Sequence, residues 1–264
     1  MFQRLHEGDH QDIAICLTNL AEALREVGDF ARARDLNEQA LAMLQRLDAG
    51  DPDIALVLGN LAECLRELGD FARARELHEQ ALAMRRRVYA GDHPETGYSL
   101  HGLAIVVRAL GEYTRAQELD EQALAMYRRL YAGGHPDIAR SLNNLAEDLR
   151  GLGDYAHAHQ LHEQALAMFQ RLYADDHPRI ATTLNNLAED LRGLGDYARA
   201  RELDEHALAM RRRLYRGDHP DIAASLNNLA DDLRELGDYP RARDLDEQAL
   251  AMRQQLAERD VFPS

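Results

Sequence analysis

Asn185 to Met210 reads NNLAEDLRGLGDYARARELDEHALAM, and this stretch decides the fold because it returns. Aligned on its Gly-Asp step, the chain shows Gly28-Asp29, Gly69-Asp70, Gly111-Glu112, Gly153-Asp154, Gly195-Asp196 and Gly237-Asp238, spaced 41, 42, 42, 42 and 42 residues apart. A fixed period of this size is the mark of a repeat architecture. The short interval comes from one missing residue. Asp51-Pro52 stands where later copies have Asp92-His93-Pro94 or Asp218-His219-Pro220.

Within one copy, Ile138, Leu142, Leu145, Ala146, Leu149 and Leu152 fall at i, i+4, i+7, i+8, i+11 and i+14, a helical stripe. Pro136 suits a first helical turn, where its missing N–H costs nothing. Gly153 ends that helix and Asp154 is placed to cap a second one. The second helix is expected to bury Ala158, Leu161, Ala165, Leu166 and Met168 and to end near Tyr173. Three positions are alanine in every copy: Ala21/62/104/146/188/230, Ala33/74/116/158/200/242 and Ala40/81/123/165/207/249. Alanine lets helix axes approach closely, where a larger side chain would overpack. One helical pair cannot bury both its faces, whereas a stack can. The expected fold is all-α, a right-handed α-solenoid of six helix-turn-helix repeats at about 9–49, 50–90, 91–132, 133–174, 175–216 and 217–258.

The Leu-Ala, Gly-Asp-Tyr and paired-alanine pattern resembles the tetratricopeptide repeat. The 42-residue period and the junction GDHPDIAASLNNLA (Gly217–Ala230) resemble its kinesin-light-chain type. The resemblance spans almost the whole chain. It implies that the first helix of each repeat lines a concave side where extended peptides bind, and that asparagines there hold a ligand's main chain.

Composition sets the outer limits. The 264 residues carry a net charge of −15, and all 31 basic residues are arginine, a choice that GC-rich coding favours. An acidic balance opposes general nucleic-acid binding, which needs a basic face. It suits basic or mixed-charge protein partners. No apolar run is long enough for a membrane span, and the start MFQRLHEGDH has no secretory core. Cys16 and Cys64 lack zinc or disulfide spacing. A cytoplasmic location is expected.

Asparagine is up to about 0.7 kcal/mol worse than alanine within a helix. It nonetheless occupies five of six equivalent positions, Asn19, Asn60, Asn144, Asn186 and Asn228, with Gly102 in the third copy. An amide offers both donor and acceptor, so this column can pair with a peptide backbone; it can equally tie one helix to the next. A second column, Asn143, Asn185 and Asn227, is confined to the last three copies, with Thr18, Gly59 and His101 before it. That variation favours a ligand-facing role. Glu147, Glu189 and Asp231 complete the expected peptide-binding set, with Glu22 and Glu63 before them, and Arg25, Arg66, Arg150, Arg192 and Arg234 follow at i+3 as intrahelical ion pairs. Asp148, Asp190 and Asp232 are read as further acids on the same wall. In the third copy, His101-Gly102 and Ile105 reflect drift or a local apolar pocket.

No catalytic chemistry is expected. His157, His159 and His162 do not share one helical face, and zinc needs three or four convergent ligands. His93, His135, His177 and His219 recur at repeat junctions, which is a fold signal. No phosphate-cradling loop or nucleophile motif is present, so neither enzyme, metal nor cofactor is expected. Met1–Leu5 repeats Met168–Leu172, so residues 1–8 read as the remnant of a preceding second helix, and 259–264 as a tail. Ends without capping repeats can pair with another chain, and the chain reads as a piece of a longer array. The expected function is a scaffold holding an extended peptide or partner segment; the alternative is the sensor arm of a larger bacterial signalling NTPase.

Overall fold

The computed structural model describes residues 9–47 and 50–261. Among them it forms twelve helices in six hairpins. The first helices are α1 (Gln11–Glu26), α3 (Asp51–Glu67), α5 (Pro94–Ala109), α7 (Pro136–Gly151), α9 (Pro178–Gly193) and α11 (Pro220–Glu235). The second helices are α2 (Phe30–Arg46), α4 (Phe71–Val88), α6 (Tyr113–Leu130), α8 (Tyr155–Leu172), α10 (Tyr197–Leu214) and α12 (Tyr239–Val261). No strand occurs among the described residues. The expectation about Met1–Leu5 lies outside them, and α12 runs on through Val261 into the stretch read as a tail.

The turn chemistry explains why each hairpin closes. Gly28, Gly69, Gly111, Gly153, Gly195 and Gly237 all sit at φ of 82–83°, a left-handed conformation that costs glycine little. Behind five of these glycines an aspartate accepts from the backbone N–H three residues on, as Asp154 does from His157 at 3.2 Å. Glu112 in the third copy makes no such side-chain bond. The first helices are capped by histidine. Nδ1 of His93, His135, His177 and His219 accepts from the N–H two residues later at 3.1–3.2 Å. Tyr89, Tyr173 and Tyr215 stack on three of these imidazoles at 3.5–3.6 Å. The one-residue deletion removes this cap from α3, whose N-cap is Gly50 with no side-chain bond.

The helices form two compact units, residues 1–132 and 133–264. Within each unit every helix packs on its chain neighbours, and successive first helices also touch. This is the all-α solenoid arrangement. All three alanine columns lie at these crossings, each residue 0–2 % exposed. In α8 the buried set differs in part from the expected one. Ala158 and Ala165 are buried with His162 and Phe169, whereas Leu161, Leu166 and Met168 are only half-buried. Leu152 is 46 % exposed because it belongs to the C-terminal turn rather than the stripe.

Two glycines show how individual copies adjust. Gly97 replaces the alanine found at Ala55 and Ala139, and a Cβ there would come 2.6 Å from the Tyr127 ring. Gly102 replaces the column asparagine, and a Cβ there would lie 2.5 Å from the His78 ring. The third copy therefore holds no vacant apolar pocket at Gly102; an imidazole from α4 occupies that space.

Candidate functional site

The first helices carry the expected amides and acids, in environments that differ from residue to residue. In the second unit, Asn186 and Asn228 are half-buried, as are Glu147 and Glu189, while Asp231 is exposed. Asn143 Nδ2 donates to Glu147 at 3.2 Å, and its Oδ1 accepts from Thr183 and Asn186 at 3.3 Å. Asn186 Nδ2 also reaches Glu147 at 3.3 Å. Arg150 crosses to Glu189 at 2.7 Å. These bonds lace α7 to α9 and fix where the amides stand. Asn144 is buried, at 8 % exposed. In the first unit Asn19 is exposed on α1, and Asn60 is 9 % exposed on α3.

The second asparagine column does not share one environment. Asn185 is buried, donating to Asp204 on α10 and accepting from Ser225 on α11 at 3.3 Å. Asn227, in the amide orientation that satisfies both its ends, accepts from Arg253 on α12 at 2.9 and 3.2 Å. Asn185 thus points into the stack, and Asn227 toward its hairpin partner. In the third copy the change of residue keeps the contact. His101, at the position of Asn185, faces Asp120 at 3.2 Å, so the bond persists with a different donor.

Three further expectations are corrected. Asp148, Asp190 and Asp232 are not on the wall; each is 0 % exposed between helices. Glu63 is also buried, 3.3 Å from His78. The ion pairs are only partly intrahelical. Arg66 pairs with Glu63 at 3.0 Å and Arg234 pairs with Asp231, but Arg192 reaches Asp204 at 2.7 Å and Asp232 at 3.0 Å.

One second-helix position explains these choices. It is occupied in turn by Asn37, His78, Asp120, His162, Asp204 and Asp246. All but Asp246 are at most 1 % exposed. Where it is aspartate, the arginine twelve residues upstream turns to it: Arg108 to Asp120 at 3.7 Å and Arg192 to Asp204 in the interior, Arg234 to Asp246 at 2.7 Å on the surface. Where it is histidine, the arginine goes elsewhere, as Arg66 and Arg150 do. His162 instead meets Asp190 at 2.5 Å. A hydrophobic pattern could not show this column, because charged residues at helical spacing read as a solvated face.

Burial sets the electrostatics of this interior. It pushes the Asp204 carboxyl up to about 7, against the pull of Arg192 and Asn185. Asp232 is raised for the same reason. Glu63 goes the other way. Burial alone would raise it, but hydrogen bonds and charge from His78 and Arg66 bring it down to about 2. These groups are spent on helix contacts. Among the described residues no group of three or more His, Cys, Asp or Glu is arranged to hold a metal ion. No described helix is long and apolar enough to cross a membrane.

Stacked helical hairpins with a polar first-helix face define a helical-repeat protein. The tetratricopeptide repeat model matches residues 1–46, 53–129, 103–171, 161–213 and 179–255, and the chain belongs to that family. No curated protein matches it in sequence. Among solved structures it is similar to the nearly identical TPR-like repeats of a Podosopora anserina protein assigned to the kinesin light chains. That match has 28 % identity and a TM-score of 0.62, over 78 % of this chain and 96 % of the other. It is similar to BtubC (BKLC) from P. vanneervenii at 25 % identity and TM-score 0.72, over 86 % and 92 %. NprR in complex with its cognate peptide NprX shares the fold, with 16 % identity and TM-score 0.70 over 96 % and 71 %.

Proposed function

We propose that this chain is a non-enzymatic interaction module that holds an extended segment of a partner protein on its first-helix face. The observation that carries this is the placement of Asn186 and Asn228. Both stay half-buried on adjacent first helices, Asn186 beside Glu147, while Asn185 turns inward to structural partners. Asn186 gives its Nδ2 to Asn143 and Glu147 and offers its Oδ1 to a peptide N–H, whereas the amide of Asn228 can both donate to and accept from a peptide main chain whatever that peptide's sequence. Asn19 and Asn60 occupy the same register in the first unit. A structural neighbour solved with its cognate peptide supports the reading. The acids on this face favour a partner segment of basic or mixed charge.

The test selects peptides from a random phage-displayed library on the intact chain and titrates them against variants. Asn228→Ala should weaken selected peptides that seat on the second unit by about 2- to 12-fold, one neutral hydrogen bond's worth. Its stability should stay level or rise by up to about 0.7 kcal/mol. Unchanged affinity for every selected peptide, combined with a large loss of stability, would make the amide a tie between helices and end the proposal.

A further inference from the structure

We infer that the first unit takes a particular kind of segment: an extended peptide with an aliphatic anchor side chain and a lysine or arginine about four residues from it. This rests on reading the first-helix face as a peptide groove, and deepens it.

The anchor position is a surface cavity of about 50 Å³ between α1 and α3, lined mainly by Ala14, Ile15, Leu44, Leu56 and Val57, with Asp53, which accepts from Gln11 at 2.8 Å, also in its wall. Ile15 and Leu56 are 47 % and 46 % exposed. Leu56 has a first helix on either side and is still uncovered, so its exposure is not an end effect. Nor does the repeat require an apolar residue there. The same register carries Tyr98 in the third copy, then Arg140, Thr182 and Ala224 in the second unit. An isolated surface aliphatic needs no explanation, but Ile15 and Leu56 stand at one register and line one cavity together. The small volume suits Leu, Ile, Val or Met rather than an indole.

Further along the same two helices lies a second cavity of about 310 Å³, bounded by Glu22, Arg25, Glu26, Glu63, Arg66 and Glu67. Glu63 is buried against His78 and Arg66, and Arg66 also pairs with Glu67, which leaves Glu22 and Glu26 exposed beside Arg25. The excess is negative, which complements a cationic side chain. The two cavities are centred eight to ten residues apart on α1 and α3. At ~1.5 Å per residue that is about 12–15 Å, the reach of about four residues of extended chain. Asn19 lines the first cavity, and Asn60 occupies the same register on α3, between the two sets of lining residues. An amide there is placed for the main chain that joins the two side chains.

The selection described above tests this with the intact chain and a random 12-residue phage library. Enriched peptides should share an aliphatic residue with Lys or Arg three to five positions away. Leu56→Asp should weaken them by about tenfold or more, since the anchor loses its apolar contact. Ile15→Ser, a milder second variant, should act in the same direction. Glu26→Arg should weaken them too and reduce the dependence on salt. Circular dichroism of each variant should stay unchanged. Enriched peptides that are acidic, or that bind Leu56→Asp and Glu26→Arg as well as the parent, overturn the inference. Peptides that depend on Asn228 but not on Leu56 overturn it while leaving the proposed function standing. No enrichment on the intact chain overturns both.

Discussion

A missing Cβ separates the third copy from its neighbours more than any charge does. Tyr127 projects from α6 with its hydroxyl donating to the Pro94 carbonyl at 3.4 Å, over the place where Gly97 has no side chain. His78 stands over Gly102 in the same way. Glycine inside a helix costs about 0.5–1 kcal/mol relative to alanine, so each glycine is a loss accepted for a neighbouring ring. Gly97→Ala should therefore destabilise the chain by about 1–3 kcal/mol through overpacking, despite the better helix propensity. Gly97→Ala combined with Tyr127→Leu should recover much of that loss. Denaturant melts of the two singles and the double close the cycle; simple additivity would show that Gly97 and Tyr127 are not coupled.

At the scale of one helix, the cap decides how firmly a repeat begins. The imidazoles accept through Nδ1, so protonation there removes the cap. Beside His135 and His219 stand Asp137 and Asp221, but beside His177 stands Arg179. Burial and the Arg179 charge both lower the His177 pKa. A histidine with a lowered folded pKa contributes stability that is whole above its ordinary value of 6.5 and is lost as pH falls below it. The start of α9 should exchange its amide hydrogens faster at pH 5.5 than at pH 7.5, after correction for intrinsic rates. Equal changes at α7, α9 and α11 would contradict this. The helix with no such cap is α3, and inserting histidine between Asp51 and Pro52 should raise stability by about 0.5–2 kcal/mol. An insertion that lowers the melting midpoint would mean that the short junction is built for 41 residues. The spacing that exposed this deletion was plain in the sequence, as were the glycine turns and the alanine columns, because each repeats at a fixed interval. That the deleted residue is the cap was not, since only the folded turn brings Nδ1 to the N–H two residues on.

Over the whole molecule the same separation holds. The period specified twelve helices and their apolar crossings, because a solenoid's core is local in sequence. It did not reveal the polar interior. Asp190 and Asp232 sit beside Arg192 or in runs such as Glu-Asp and Asp-Asp that read as solvent-facing. Their burial depends on a partner from an adjacent helix, His162 in one case and Asp204 with Arg192 in the other. That partner's identity, not its periodicity, settles the outcome. The two units consequently hold buried carboxylates of opposite tendency, and their responses to acid should differ. In the second unit, Asp204 is pushed up to about 7 and Asp232 is also raised. A carboxyl whose folded pKa exceeds its unfolded value near 3.8 contributes stability that is complete below 3.8 and is lost as pH rises from there to about 7. In the first unit, Glu63 at about 2 lies below its ordinary 4.5. Its contribution is complete above 4.5 and is lost as pH falls from there toward 2. Each pKa unit corresponds to about 1.4 kcal/mol. Hydrogen exchange, corrected for intrinsic rates, should show α10 and α11 better protected at pH 5 than at pH 7.5. Between pH 5 and pH 3, α3 and α4 should lose protection first. Asp204→Asn should abolish the gain between pH 7.5 and 5 while leaving the acid loss in α3 and α4 untouched. If that variant instead keeps the gain in α10 and α11, the proton is held elsewhere, and the Asp204–Arg192–Asp232 cluster is ionised throughout.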